Sequence, residues 1–360
     1  MSGPAPDGDA AARERWAVVA RLFAEALDAP PEERSVRLEA GSPDADVRAE
    51  VRRLLATHDA LSSAPANTPH FLDKLDLTSA ASLLDHVDGA GVGSNIDRYE
   101  VIRQLGRGST GAVFLARDST DARVVAVKVL ARWLSADPLA SRRFLNEALI
   151  VSELTDPHIA TVYRSGTTDD GQLFIAMAYL DGITLRERLA AGPVPVDDAL
   201  RIAIDVADGL SAAHARAIVH RDIKPENILL AEHGACIVDF GIAKLDGESL
   251  TRPGTAIGTA AYMSPEQARG DPVDRRTDVW SLGVVLYELL SGVRPFEADS
   301  AAALLNNIRT ASPAPLLSLR PDLPERLHVV VRNCLEKDRA QRYPSADALR
   351  TALALCRTRR

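Results

Sequence analysis

Three glycines, Gly106, Gly108 and Gly111, are spaced in a way that can bind phosphate. They lie in the stretch 106–111, GRGSTG, between two runs of strand-like residues. Glycine permits a tight hairpin and lets backbone N–H groups approach phosphate oxygens. The pattern G-x-G-x-x-G is weak by itself, because dinucleotide-binding folds also use it, but those folds place a helix after the glycines. Here a second strand pattern follows, so the stretch predicts a phosphate-binding loop of another kind.

The stretch 220–227, HRDIKPEN, brings a carboxylate, an ammonium group and an amide together within one short loop. A second stretch, 239–241 with the sequence DFG, follows after a short hairpin pattern. Carboxylate and amide oxygens are the ligands that the hard cation Mg²⁺ prefers. The first stretch resembles, residue for residue, the catalytic loop H-R-D-x-x-x-x-N of the protein-kinase family, and the second resembles that family's D-F-G motif.

The resemblance implies a role for each polar group in these stretches. Asp222 would orient the substrate hydroxyl and accept its proton, and Lys224 would place positive charge beside the transferring phosphoryl group. Asn227 and Asp239 would hold Mg²⁺. By this resemblance, a lysine at position 224 is more typical of serine/threonine kinases than of tyrosine kinases.

Lys128 ends the apolar run VAVK in the strand pattern that follows the glycine loop. A lysine in a strand is usually a solvated edge residue, but its position after the glycines favours binding of the α- and β-phosphates of ATP. Such a lysine must be aimed by a carboxylate, which the next helix supplies. We predict Glu147 as this partner, with Glu153 on the same helix as the competing candidate.

The resemblance also predicts the pocket for the adenine of ATP. Apolar side chains would enclose the base, its polar edge would face backbone groups of a hinge, and one larger side chain would act as gatekeeper. The predicted residues are Leu105, Val113 and Ala126 above the base, Leu229 below it, Ala178 and Leu180 in the hinge, and Met177 as gatekeeper.

Further motifs of the family are predicted to brace the larger lobe. Ser264-Pro265-Glu266 resembles the A-P-E motif with serine in place of alanine, and Glu266 is expected to pair with Arg342. Asp278 is expected to anchor the backbone of the catalytic loop.

The segment between the D-F-G and S-P-E motifs resembles an activation loop. Arg221 could receive a phosphorylated side chain from this segment and thereby order it. Thr251 and Thr255 are the predicted phosphorylation sites, with Ser249 in reserve. Unmodified polar loop residues are the alternative, since sequence does not reveal phosphorylation. Thr259 would contact the catalytic loop.

The elements that must position these residues follow from hydrophobic periodicity. Five short strand patterns with one intervening helix precede a region of mainly helical period. The predicted strands are 99–105, 112–118, 124–130, 162–167 and 173–179, with the helix at 138–154. The predicted fold class is therefore α+β: a bilobal protein-kinase fold with a five-stranded antiparallel N-lobe sheet plus one helix, the family's αC, and a mainly helical C-lobe.

The domain organisation is predicted from the same patterns. A small helical N-terminal region at 1–60 carries apolar residues at helical spacing: Trp16, Val19, Leu22, Phe23, Ala26, Leu27, Val47, Val51, Leu54 and Leu55. A linker at 61–97 precedes the kinase domain at 98–357, with its N-lobe at 98–177, hinge at 178–182 and C-lobe at 183–357. The N-terminal region is either an autoinhibitory or docking module or a solubilising cap, and the sequence leaves both open.

Composition narrows the range of partners and compartments. The 360 residues carry a net charge of -8 and no basic stripe, so nucleic acid and anionic membranes are not expected as partners. An acidic N-terminus and the lack of a long apolar run predict a cytoplasmic chain without a membrane span. Three cysteines without a C-x-x-C pair predict reduced thiols rather than disulfides or a zinc site.

The predicted function is transfer of the γ-phosphoryl group of Mg-ATP to serine or threonine hydroxyls of the chain itself and of partner proteins, in a signalling pathway. Autophosphorylation implies a transient homodimer. A pseudokinase scaffold is the first alternative, but its mark would be loss of Lys128, Asp222, Asn227 or Asp239, and all are present. A small-molecule phosphotransferase is the second, and the activation segment through Glu266 disfavours it.

Overall fold

A computed structural model gives the structure of the chain, which divides into two compact units, Met1–Ala80 and Ala81–Arg360. The described residues are 22, 26, 34–41, 44–45, 47–48, 51–52, 92–108, 111–135, 144–145, 147–148, 150–192, 194–240 and 260–357. The boundaries predicted at residues 60 and 97 stay predictions.

The described part of the first unit is helical except at Asp44. Helix α1 spans Arg34–Gly41, and further helical residues lie at 22, 26, 45, 47–48 and 51–52. Of the side chains that the sequence places on apolar stripes, the four described ones, Leu22, Ala26, Val47 and Val51, are buried together with Leu38, and the other six lie outside the described residues. A Cβ on Gly41 would lie 2.2 Å from Cδ2 of Leu22, so glycine lets these two segments approach closely.

The first elements described in the second unit form an antiparallel sheet, which we call the N-lobe sheet. Its strands are β1 Asn95–Ile96, β2 Tyr99–Gly108, β3 Gly111–Asp118, β4 Val124–Leu130, β5 Val162–Thr167 and β6 Leu173–Ala178, in the order β1-β2-β3-β4-β6-β5. Helix α2, Arg132–Ser135, follows β4, and helical residues at 144–145, 147–148 and 150–152 belong to the helix predicted before β5. The sequence predicted five of the six strands and missed β1.

The register of this sheet divides its side chains between two cores. Opposed residues share a face, and so do residues two apart along one strand. Val113 opposes Lys128 and Ala126 opposes Met177, so these four side chains lie on one face. The other face carries a separate apolar cluster of Ile96, Tyr99, Val101, Ala112, Phe114, Ala116, Val125, Val127, Val129, Phe174 and Ala176.

The C-lobe is mainly helical and carries one small sheet. The sheet contains β7 Gly182–Thr184, β8 Ile228–Ala231 and β9 Gly234–Ile237. The helices are α3 Leu185–Ala190, α4 Val196–Ala215, α5 Pro265–Arg269, α6 Arg276–Ser291, α7 Ala301–Thr310, α8 Leu316–Leu319, α9 Glu325–Cys334 and α10 Ala346–Ala354. Most side chains of α6 are buried, so it forms the centre of the lobe.

Backbone hydrogen bonds connect the N-lobe to the strand that leads into the D-F-G motif. Ala160 N–H donates to the Ile237 carbonyl at 2.8 Å, and Ile237 N–H donates to the His158 carbonyl at 2.8 Å. These contacts place the end of β9 at the junction of the two lobes. Among the described residues, no helix combines the length and apolar character needed to cross a bilayer.

Candidate active site

The catalytic-loop residues meet around the Asp222 carboxylate. Lys224 Nζ lies 3.0 Å from Asp222 Oδ2. Asn227 Nδ2 donates to the Asp222 carbonyl at 2.8 Å and to Asp222 Oδ2 at 3.1 Å. The turn of 3-10 helix at Pro225–Asn227 folds the loop back and makes these contacts local. The arrangement presents a proton acceptor and an ammonium group at one point, with both side chains still partly accessible.

Asp278, at the beginning of α6, anchors the backbone of this loop. Its carboxylate accepts the backbone N–H groups of His220 and Arg221, each at 2.8 Å. It also lies 2.8 Å from Nε2 of His214, which comes from the end of α4. Asp278 is fully buried, so these three contacts compensate a carboxylate that water does not reach. This is the anchoring role that the sequence predicted.

The predicted phosphate-binding lysine and the D-F-G aspartate contact each other directly. Lys128 Nζ donates to Asp239 Oδ2 at 2.5 Å, and Lys128 is buried. The backbone brings this pair to the catalytic loop, because Val238 N–H donates to the Asn227 carbonyl at 3.0 Å. The Phe240 ring packs against the His220 ring with centroids 4.8 Å apart. The lysine, the aspartate and the catalytic loop therefore share one site between the lobes.

Two glutamates are the candidates for the carboxylate that would aim Lys128. Glu153 is exposed and lies 3.6 Å from Arg216, so it is engaged elsewhere. Glu147 is half-buried in the N-lobe helix. Its pairing with Lys128 stays a prediction, and Asp239 is the carboxylate that Lys128 contacts in this structure.

The predicted adenine-binding residues lie in the N-lobe sheet, just after β6 and, for one of them, in the C-lobe. Ala126, Val113 and the buried Met177 share that face. Leu105 is exposed in β2, and the half-buried Leu229 lies in β8 of the C-lobe. Leu180 follows β6 and is half-buried.

One hinge group is already engaged within the protein. The Ala178 N–H donates to the Thr161 carbonyl at 2.8 Å. A backbone N–H makes one strong hydrogen bond, whereas a carbonyl has two lone pairs. A base that contacts Ala178 would therefore bind the carbonyl oxygen of Ala178. This oxygen favours a ligand with a hydrogen-bond donor, such as an amino group.

The three loop glycines differ in why glycine is needed. Gly111 has φ +144°, and a Cβ there would lie 2.0 Å from the Val129 carbonyl oxygen, so the sheet itself requires glycine. At Gly106 and Gly108 a Cβ would meet nothing within 4 Å. No packing within the described chain requires glycine at these two positions, which is consistent with close approach by a ligand.

This difference predicts opposite outcomes for two alanine substitutions. Gly108→Ala should leave the melting temperature unchanged and raise the Kd for ATP, because its Cβ enters only the space proposed for phosphates. Gly111→Ala should lower the free energy of unfolding by about 1–3 kcal/mol, since it forces strained backbone against Val129. Thermal denaturation and calorimetric titration with ATP measure the two effects. Unchanged ATP binding in Gly108→Ala would contradict the phosphate-binding role.

The candidate phosphorylation sites Thr251 and Thr255 lie outside the described residues, as do Ser249, Thr259 and Gly241. Arg221, the predicted receiver of a phosphate, is described and has a positive φ of 65°.

An ion-pair network around Arg186, beside the catalytic loop, had no signal in the sequence. The Arg186 guanidinium donates to Glu226 Oε1 and to Glu288 Oε1, each at 2.8 Å, and also contacts the Tyr262 hydroxyl. Burial alone would lower the pKa of Arg186, but the hydrogen bonds with Glu288 and Glu226 outweigh it and raise that pKa. Burial raises the pKa of Tyr262. The network joins α3, the catalytic loop, α6 and the segment before α5.

The sheet lobe and the helical lobe meet where Lys128 and Asp239 lie beside the catalytic loop. This arrangement defines the class of phosphotransferases with the protein-kinase fold. The model of the family described as "Protein kinase domain" matches residues 99–353. The serine/threonine-protein kinase PknB of Mycolicibacterium smegmatis is 42% identical over 265 residues, which cover 71% of this chain and 42% of that protein. The serine/threonine-protein kinase pkn3 of Myxococcus xanthus is 39% identical over 269 residues, covering 71% of this chain and 49% of the relative.

A solved structure agrees with these relatives. The kinase domain of Mycobacterium tuberculosis PknI superposes with a TM-score of 0.62 at 32% identity, covering 75% of this chain and 100% of that one. The chain therefore belongs to the protein kinase family, in its bacterial eukaryotic-like serine/threonine class. It spans less than half the length of the two curated relatives named above.

Proposed function

We propose that this chain transfers the γ-phosphoryl group of Mg-ATP to serine and threonine hydroxyls, on itself and on partner proteins. The observation that carries the proposal is the contact set in which Asp222, Lys224 and Asn227 meet, while Lys128 and Asp239 pair beside them. These groups supply a base, two cations and two oxygen ligands, which are the parts that phosphoryl transfer requires.

The residues present fit a magnesium ion. Both hydrogen bonds that Asn227 Nδ2 donates go to Asp222, which fixes the amide and makes its oxygen the metal-binding end. The Asp239 carboxylate adds a second hard oxygen donor. When bound, Mg²⁺ would neutralise charge on the β- and γ-phosphates. We propose Asn227 and Asp239 as its ligands.

In the proposed reaction, Asp222 orients a substrate hydroxyl and receives its proton. A bond forms between the hydroxyl oxygen and the γ-phosphorus, the bond from that phosphorus to the bridging oxygen breaks, and ADP leaves. Lys224, held beside Asp222, stabilises negative charge on the transferring group. Lys128 binds the α- and β-phosphates, and Glu147 is proposed to aim it.

The pocket for the base and the regulatory segment complete the proposal. Adenine lies against Leu105, Val113, Ala126 and Leu229, with Met177 as gatekeeper and Ala178 and Leu180 as hinge contacts. Phosphorylation at Thr251 or Thr255, in a transient homodimer, activates the kinase by adding charge that Arg221 receives. The kinase works in the cytoplasm, and its domain extends over residues 98–357.

The first test is phosphate incorporation from γ-labelled ATP into the purified full chain and into a generic protein substrate. We expect labelling of the chain at Thr251 or Thr255, because these residues lie in the proposed activation loop. Removing Mg²⁺ with EDTA should abolish labelling, and added Mg²⁺ should restore it. A folded chain that binds ATP but labels neither itself nor the substrate would favour a scaffold and overturn the proposal.

A further inference from the structure

We propose that Gln267 is a positioning residue that holds the peptide group between Arg221 and Asp222, and thereby the Asp222 carboxylate, in place for phosphoryl transfer. This inference rests on the proposed function. Gln267 lies in α5, outside the catalytic loop, and its side chain is half-buried. It touches none of the groups proposed to react, so any effect on transfer must act through the backbone of the loop.

The backbone before Asp222 needs external support. Arg221 has a φ of 65°, in the left-handed region that costs a residue with a Cβ about 1–2 kcal/mol. Asp278 fixes one side of this residue, because Arg221 N–H donates to Asp278 Oδ1 at 2.8 Å. The other side of Arg221 is its carbonyl group, which belongs to the peptide that leads into Asp222.

That peptide is held at both of its polar ends. Gln267 Nε2 donates to the Arg221 carbonyl oxygen at 2.9 Å. The N–H of Asp222 donates to Nδ1 of His220 at 3.2 Å. Because a peptide group is planar, fixing its oxygen and its N–H fixes the plane from which the Asp222 side chain begins. Of these two hydrogen bonds, the one from the Gln267 amide comes from outside the catalytic loop.

The Gln267 amide is itself held by the cap of α5. Ser264 N–H donates to Gln267 Oε1 at 3.0 Å, and Gln267 N–H donates to Ser264 Oγ at 3.3 Å. Ser264 Oγ lies 2.5 Å from Thr277 Oγ1, and both residues are fully buried. Since the amide oxygen is bound to the cap, the amide nitrogen faces Arg221. The capping box of α5 thus aims the donor at the catalytic loop.

The substitution Gln267→Glu separates this role from capping. Glutamate also accepts from the Ser264 N–H, and its charge suits the first turn of a helix, but it cannot donate through an amide nitrogen. We expect kcat for a protein substrate to fall on the order of 10- to 100-fold, as for a small misplacement of a catalytic group. The KM for ATP, the Kd for ATP and the melting temperature should stay near wild-type values.

Two control variants complete the experiment. Gln341→Glu makes the same chemical change at an exposed position in the Arg339–Gln341 turn and should leave kcat unchanged. Gln267→Met removes both the donor and the cap acceptor, so both kcat and the melting temperature should fall. Hydrogen exchange of a peptide covering residues 220–223 should be faster in Gln267→Glu than in wild type.

The outcomes distinguish this inference from the proposed function. Wild-type kcat in Gln267→Glu would overturn the positioning role while leaving the kinase assignment intact. A loss of kcat that merely follows loss of folded, ATP-binding protein would make Gln267 structural and would also overturn it. If wild type and Asp222→Asn are equally unable to transfer phosphate, the proposed function fails, and the inference fails with it.

Discussion

Asp222→Asn is expected to lower phosphate transfer by about 10²- to 10⁴-fold, the usual contribution of a positioned general base. Asparagine has the size of aspartate but lacks the charged oxygen that would receive the hydroxyl proton. One amide oxygen can still accept from Lys224 or Asn227, which now lie within 3.0 Å and 3.1 Å of Asp222 Oδ2. The loss should therefore appear in kcat rather than in folding.

The structure gives a reason to expect an intact loop in this variant. Asp278 holds the loop through the backbone of His220 and Arg221, and neither contact involves the Asp222 side chain. The residues of β3, β4 and β6 that are proposed to bind ATP are also untouched. Melting temperature and calorimetric ATP binding should therefore match those of wild type.

The measurement compares initial rates of labelling of a generic protein substrate by wild type, Asp222→Asn and a control. Asp198→Asn is a suitable control, because Asp198 is an exposed aspartate of α4 whose partner is Arg201 at 2.7 Å. It should transfer phosphate at the wild-type rate. An Asp222→Asn protein with more than about a tenth of the wild-type kcat would mean that Asp222 does not act as the base.

Elements whose signal is local could be predicted from the sequence. The strands at Val124–Leu130 and Val162–Thr167 have the predicted bounds, because turn residues lie before the first strand and after the second. The residues of the catalytic loop could be predicted together because they are neighbours in the chain. The contacts of Asp222 with Lys224 and Asn227 accordingly join residues that are close in sequence.

Elements that are very short, and contacts that depend on a distant partner, could not be predicted in this way. Strand β1, Asn95–Ile96, is only two residues long and is defined by pairing with Tyr99 and Glu100, so the sequence interpretation placed it in a linker. The contact between Lys128 and Asp239 joins residues 111 positions apart. Each residue was predicted for the site, but their mutual contact depends on how the two lobes meet.

Side chains without a motif were missed for the same reason. Arg186 looks like a solvated helix residue in the sequence, yet it contacts carboxylates from the catalytic loop and from α6. Gln267 looks like an ordinary residue after the S-P-E motif, yet its amide nitrogen reaches Arg221. A capping-box pattern from Ser264 to Gln267 was present, but it indicates only a helix terminus and not what the second amide atom contacts.

The largest effect on stability is expected for Arg342→Met, which should lower the free energy of unfolding by about 3–5 kcal/mol. Arg342 donates through both terminal nitrogens to Glu266, at 2.7 Å and 2.8 Å, and both side chains are buried. Methionine would leave the Glu266 carboxylate without its counter-charge in a site that water does not reach. Arg342 also donates to the Glu336 carbonyl at 2.8 Å, and that acceptor would lose its partner as well.

An exposed ion pair provides the matched control. Arg201→Met removes the partner of Asp198 on the surface of α4. The distance between Arg201 Nη2 and Asp198 Oδ1 is also 2.7 Å, but water screens the charges there. Its expected cost is within about 1 kcal/mol. Urea denaturation followed by circular dichroism gives both values, provided that the slopes of the two transitions match that of wild type.

The pH dependence tests whether the cost comes from the buried charge. Burial would raise the pKa of Glu266, but the hydrogen bonds with Arg342 outweigh it and hold that pKa below 4.5, its ordinary value. A carboxylate with a lowered folded-state pKa stabilises the fold above its unfolded pKa and loses that contribution as pH falls through the folded pKa. The advantage of wild type over Arg342→Met should therefore be largest at neutral pH and shrink as the pH falls through the folded-state pKa of Glu266, which Arg342 lowers in wild type and burial alone raises in the variant.

The double substitution Glu266→Leu with Arg342→Met separates pairing from packing. Replacing both charges by apolar groups removes the need to compensate either one, so the double variant should be more stable than Arg342→Met alone. A double variant as unstable as the single one would show that the carbonyl contacts and packing of Arg342 against Trp280, 5.0 Å from the ring centre, account for the loss. In that case the buried pair would serve to shape the region around α5 and α6 rather than to neutralise Glu266.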